Sequence, residues 1–148
     1  MKDRDRRRGW WAVQDVSQPV PLRVLVVDDS PAVRDLIVVN FELEGFEVRS
    51  ASDGLEALEI LASWRPDVVT LDVMMPRLGG LGTLERIRAD EHLRELPVVV
   101  VSGRAQDADR DRGLALGADA YIAKPFEPTD LVALVTRLAR EGRGRSAG

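Results

Sequence analysis

Four apolar runs in the chain each stop at a polar residue, and apolar positions recur at helical spacing between them. Residues 22–27 end in Asp28-Asp29, and Val68-Val69-Thr70-Leu71 ends in Asp72, with Met75-Pro76 close behind. Val98-Val99-Val100-Val101 ends in Ser102-Gly103, and residues 118–123 end in Lys124-Pro125. Short apolar runs bounded by breakers predict strands covered on both faces. Residues 46–51 predict one more strand, second in chain order.

Ser30-Pro31 supplies an N-cap and a first-turn proline, and Val33, Leu36, Ile37 and Phe41 then mark a helix that stops at Gly45. Asp53-Gly54 turns the chain into a helix carrying Leu55, Leu58, Leu61 and Ala62, which ends near Trp64-Arg65-Pro66. The loop Arg77-Leu78-Gly79-Gly80 leads into a third helix with Leu81, Leu84 and Ile87. Residues 104–117 are only weakly amphipathic, which predicts a marginal, mobile helix. Pro128 opens the last helix, with Leu131, Leu134, Val135 and Leu138 as its stripe. Strand and helix alternate throughout. This predicts an α/β fold: a doubly wound, five-stranded parallel sheet, (βα)5, with helices on both faces.

The 148 residues, 45% apolar and 31% charged, suit one soluble domain with a real core. We expect a flexible arm over residues 1–21, a folded body over 22–140 and a flexible tail over 141–148. The arm carries Arg6-Arg7-Arg8 and Trp10-Trp11, which would alternatively suit a docking segment. No apolar stretch approaches the roughly 20 residues that span a bilayer, and no secretion leader opens the chain, so a cytoplasmic protein without membrane contact is expected. Without cysteine there is neither a thiolate site nor a disulfide. His92 lies in a polar segment and is expected at the solvated surface, and Trp64 reads as packing. The net charge is −4, with the acidic residues concentrated in the body and both ends basic. That balance predicts no direct nucleic-acid binding.

If the strands lie parallel and adjacent, three carboxylates, a hydroxyl and an ammonium meet at one edge of the sheet, where ligands of such folds bind. Adjacent Asp28 and Asp29 repel unless neutralised, and an oxygen-rich acidic site beside water suits Mg2+. Beside such an ion Asp72 is a nucleophile for phosphorus, with Lys124 and the Ser102 hydroxyl holding the phosphoryl oxygens. Taken singly, Lys124 reads as a surface lysine and Ser102 as a turn residue. It is the convergence of all these groups that points to phosphoryl transfer, with an acyl phosphate on Asp72 as product.

At these residues, from about 22 to about 140, the sequence resembles the receiver domain of two-component response regulators, of the stand-alone type with a flavodoxin-like fold. Val26-Val27-Asp28-Asp29-Ser30 resembles the acidic pair, Asp72 with Met75-Pro76 the phosphoacceptor and its loop, Ser102-Gly103 the switch hydroxyl, and Lys124-Pro125-Phe126 the lysine motif. The resemblance implies a phosphorylatable signalling module, a phosphoprotein of a phosphorelay, that takes its phosphoryl group from a histidine kinase or a histidine phosphotransfer protein. It implies Mg2+ on Asp29, Asp72 and the backbone carbonyl of Met74, with Asp28 acting through metal-bound water. It further implies a switch through Ser102 and Tyr121, a cis Lys124-Pro125 bond, and altered affinity for a downstream protein at the face of the fourth helix, last strand and last helix. The module would be a monomer or a phosphorylation-dependent dimer, and no enzyme beyond phosphorylating and dephosphorylating itself.

Three positions depart from the family pattern. Gly79 stands where a helix-capping aspartate is common and is expected to loosen the loop after Asp72. Ser102 replaces the commoner threonine, and Met74 is apolar where some members are polar. Two rival readings remain at this point: a Mg2+-dependent phosphohydrolase that works through an aspartyl phosphate, and a pseudo-receiver acting as a constitutive binding module. The Gly/Arg-rich end would also suit the start of a linker in a longer regulator.

Overall fold

The computed structural model describes residues 20–103 and 107–142. The sites proposed for the arm at Arg6-Arg7-Arg8 and Trp10-Trp11, and the last six residues of the tail, lie outside them. Strands β1 (Arg23–Val27), β2 (Glu47–Ala51), β3 (Val68–Asp72), β4 (Val98–Ser102) and β5 (Ala120–Ala123) alternate with five helices. These are α1 (Pro31–Leu43), α2 (Gly54–Leu61), α3 (Gly80–Ala89), α4 (Asp107–Ala115) and α5 (Pro128–Glu141).

The strands form one sheet in the order β2-β1-β3-β4-β5, every pair parallel. The strand order reverses between β1 and β3, which makes their carboxyl ends the topological switch point of the sheet. Val27 is level with Leu71, Asp72 with Val101, and Ser102 with Ala123. The residues that follow β1, β3, β4 and β5 therefore share one edge.

β1, β3 and β4 read as continuous apolar runs because side chains alternate between two covered faces. Val24, Val26, Val68, Val99 and Val101 pack with Ile37 and Phe41 of α1 and with Leu131, Val135 and Leu138 of α5. Leu25, Val69, Leu71, Val98 and Val100 meet Ala57 and Leu61 of α2 and Leu84 and Ile87 of α3. β2 lies at the edge and is correspondingly polar, with Glu47 and Arg49 exposed. Trp64 is packing, as expected: it is 6% exposed, and the guanidinium groups of Arg49 and Arg23 lie over its ring. His92 is exposed.

The stripe of α1 differs from the expectation. Ile37 and Phe41 occupy it, whereas Leu36, Val39 and Leu43 face outward. α1 has apolar residues around most of its circumference, so periodicity alone does not choose the buried side. α4 is present as nine residues, and the apolar anchors of this segment on the sheet, Leu116 and Ala118, follow the helix.

At the opposite edge of the sheet Arg88 of α3 joins three segments. It donates to the carbonyl oxygens of Leu96 (2.7 Å) and Gly117 (2.8 Å) and pairs with the Asp119 carboxylate at 3.0 Å. Asp119 in turn accepts from the Val98 amide at 2.9 Å. One guanidinium thus ties the entries of β4 and β5 to the end of α3.

Candidate acidic site at the sheet edge

Asp28 leaves β1 buried, at 1% exposure, because its backbone continues the pairing with β2 through a bond from its amide to the Ala51 carbonyl (3.1 Å). One carboxylate oxygen accepts from the Ser30 amide at 2.9 Å, while the Ser30 hydroxyl caps α1. The other faces the site and accepts from Lys124 Nζ at 2.9 Å. Asp28 therefore serves both the turn into α1 and the site. Asp29 is exposed beside it.

Asp72, at the tip of β3, is 4% exposed, and Lys124 Nζ stands 3.6 Å from its Oδ2. One carboxylate oxygen from each of Asp28, Asp29 and Asp72 lies within 4.8 Å of the others. Burial is the main reason the Asp72 carboxyl is pushed up to about 6, and the charge of Asp28 adds to it. Lys124 opposes the shift, Asp29 raises it further, and a hydrogen bond from the Met74 amide lowers it. Three carboxylates with one ammonium among them leave a net negative, all-oxygen site. Those donors fit a hard divalent cation.

Ser102 is fully buried at the end of β4, and its carbonyl accepts from the Lys124 amide at 2.7 Å. The Lys124-Pro125 bond is cis. Tyr121, level with Val100 in the sheet, is half-buried against the α2/α3 layer. Met74 is exposed in the loop beyond Asp72, two residues past the carboxylate. The structure thus brings Asp28, Asp29, Asp72 and Lys124 into one cluster, with the Met74 peptide at Asp72. Ser102 and Tyr121 belong to the strands that flank it. Val33, Leu36, Gly103, Pro125 and Phe126 line an apolar groove of about 370 Å³ against Lys124.

Gly79 is the N-cap of α3 and gives the helix no side-chain cap, in keeping with the departure from the family pattern, and the loop after Asp72 has other ties. Its backbone is held by Gly80 N–H on the Val73 carbonyl (3.0 Å) and Gly54 N–H on the Leu78 carbonyl (3.0 Å), and the Thr83 hydroxyl donates to the Gly79 carbonyl at 2.8 Å. At Gly80 a Cβ would lie 2.2 Å from the Asp72 carbonyl oxygen, so only glycine lets α3 start this close to β3.

Sequence reasoning missed two arginines here. Arg34 donates to the Asp28 carbonyl at 2.8 Å, and Arg77 pairs with Asp53, the N-cap of α2. The spacing of Asp53 and Glu56, an acidic cap with Glu three residues on, was the available signal for that helix start.

The family model described as the response regulator receiver domain matches residues 24–136. The chain belongs to that family. This receiver is 43% identical over 133 residues to the response regulator MprA of Mycolicibacterium vanbaalenii, covering 86% of this chain and 57% of MprA. It is 36% identical over 118 residues to the DNA-binding dual master transcriptional regulator RpaA of Synechocystis, covering 80% of this chain and 49% of RpaA. The receiver spans about half the length of these curated relatives.

Among solved structures, a putative response regulator from Chloroflexus aurantiacus aligns with a TM-score of 0.78 and 31% identity, covering 82% of this chain and 99% of that one. The receiver domain of the Pseudomonas aeruginosa sensor histidine kinase PA1611, which has a magnesium ion coordinated in its active site cleft, aligns with a TM-score of 0.75 and 28% identity, covering 82% of this chain and 99% of that one. The fold is the flavodoxin-like receiver fold, and the family places the chain in two-component signalling.

One expectation is overturned. The acidic body predicted no direct nucleic-acid binding, yet RpaA, which matches this module over 49% of its own length, is a DNA-binding regulator. The charge of one module does not report what the rest of a polypeptide binds. Among the described residues no helix is long and apolar enough to cross a membrane.

Proposed function

We propose that this receiver is phosphorylated on Asp72 by a histidine kinase or phosphotransfer protein, with Mg2+ held by Asp29, Asp72 and the Met74 carbonyl and with Asp28 acting through water. The carrying observation is the single ammonium of Lys124, 2.9 Å from Asp28 and 3.6 Å from Asp72, in a cluster of three carboxylates from the ends of β1 and β3. When bound, Mg2+ would neutralise the carboxylates and the equatorial phosphoryl oxygens.

An Asp72 carboxylate oxygen attacks phosphorus in line with the donor nitrogen. The P–O bond forms as the P–N bond breaks, and the nitrogen keeps the bonding pair and takes up a proton. Lys124 exchanges its carboxylate partner for a phosphoryl oxygen, and the Ser102 hydroxyl donates to another. The groove beside Lys124 offers the donor protein an apolar seat. Phosphorylation then shifts an existing equilibrium at the face of α4, β5 and α5, with Ser102 and Tyr121 as the moving groups. On the precedent of RpaA, the output is transcriptional.

Acetyl phosphate with Mg2+ tests this reading. The expected result is labelling that saturates at one phosphoryl group per chain and disappears with a chelator. Repeated turnover of an aryl phosphate would favour the phosphohydrolase instead.

A further inference from the structure

Arg77 is the one described non-glycine residue with a positive φ, +65°. The Leu78 amide donates to the Pro76 carbonyl across it at 2.7 Å, which makes a three-residue γ-turn of the rare, strained hand. Strain of this kind persists only where neighbours over-determine it, and it collects at functional sites. Here the neighbours are at the start of α2. Arg77 Nε donates to Asp53 Oδ2 at 2.7 Å, and the other oxygen of Asp53 caps α2 by accepting from the Glu56 amide at 2.9 Å.

The Asp53 carboxylate is 6% exposed, and its pKa is held below the ordinary value, first by the Glu56 amide and, opposed by burial, also by Arg77. Beside this pair Gly54 N–H donates to the Leu78 carbonyl at 3.0 Å. A Cβ on Gly54 would sit 2.7 Å from that carbonyl oxygen and closer still to the Thr83 hydroxyl, so the approach is specific to glycine.

The loop is thus held at two points. At one end the Val73 amide is fixed to the Val101 carbonyl at 3.0 Å, and at the other Arg77 and Leu78 are clipped to α2, with only Met74, Met75 and Pro76 between. We infer that Arg77, through Asp53, is a positioning residue for the cation site: the clip holds the Met74 peptide against Asp72 and so sets the affinity for Mg2+. The inference rests on the proposed reading of Asp72 and Met74. Because Arg77 is 60% exposed, a simple ion pair there would contribute little, and its consequence is the path of the loop.

The test is calorimetric Mg2+ titration of the whole chain, with melting temperatures of the metal-free proteins alongside. Arg77→Ala should weaken Mg2+ binding about tenfold, the lower end of what outer-shell partners of metal ligands contribute. Arg77→Lys should recover part of that loss. Asp53→Asn keeps the helix cap but removes the counter-charge, and should weaken binding as Arg77→Ala does. Arg77→Gly separates positioning from stability: it relieves the positive φ, so the metal-free protein should melt no lower than wild type while Mg2+ affinity falls. Unchanged Mg2+ affinity in Arg77→Ala and Arg77→Gly overturns the inference and leaves the proposed function standing, provided wild type binds Mg2+ and is labelled. A wild type that binds no Mg2+ overturns both.

Discussion

Replacing Asp72 by asparagine should raise the melting temperature of the metal-free receiver at neutral pH. The Asp72 carboxyl titrates at about 6 in the folded protein, against an ordinary 3.8, because it is buried and faces Asp28. A carboxyl whose folded pKa is the higher one binds more protons folded than unfolded between those values. Stability therefore falls as pH rises from about 4 through about 6, and the full cost is present at neutral pH. Each pKa unit corresponds to about 1.4 kcal/mol, so the expected gain from Asp72→Asn is on the order of 3 kcal/mol. That corresponds to a rise of roughly 5 °C or more for a domain of this size. The difference between variant and wild type should close as pH falls toward 4. Saturating Mg2+ should narrow it from the other side by stabilising wild type. A variant that melts below wild type at neutral pH would mean that the attraction of Lys124 outweighs burial and the neighbouring carboxylates.

Arg88→Ala should be strongly destabilising although it is remote from the acidic site. The guanidinium is 14% exposed and the paired Asp119 carboxylate 13% exposed. The substitution removes a counter-charge from a largely buried carboxylate and a donor from each of the Leu96 and Gly117 carbonyls. Breaking a buried pair from one side costs about 3–5 kcal/mol, which urea unfolding would detect as a large fall in the midpoint. Labelling of the folded variant by acetyl phosphate should persist, since these contacts lie at the edge of the sheet away from Asp72. A loss below about 1 kcal/mol would show that the network behaves as an exposed pair.

The strands at Asp72 and Ser102, and the Pro31 and Pro128 helices, were legible because burial on two faces and proline at a first turn leave one-dimensional patterns. The cluster of Asp28, Asp29, Asp72 and Lys124 was legible for a topological reason: a parallel sheet puts every strand's carboxyl end on the same edge. Arg88, Arg34 and Arg77 were not legible. Each is an ordinary charged residue in sequence, and its partner carbonyl or carboxylate comes from another segment of the chain, so no local period marks it. The outward side of α1 was hidden for the opposite reason, since Leu36 and Ile37 are equally apolar and only the sheet decides between them. At Gly79 the missing side-chain cap was legible, whereas the backbone bonds of the loop, which run to the Val73 and Leu78 carbonyls, were not.

The most direct measurement is mass spectrometry of the receiver after reaction with acetyl phosphate and Mg2+, with borohydride reduction to mark any acyl phosphate. A single added phosphoryl group, mapped to Asp72 and absent from Asp72→Asn, is the predicted result. Labelling that survives Asp72→Asn at wild-type level, or that maps to a residue outside the cluster, would contradict the central claim that β3 delivers the phosphoacceptor.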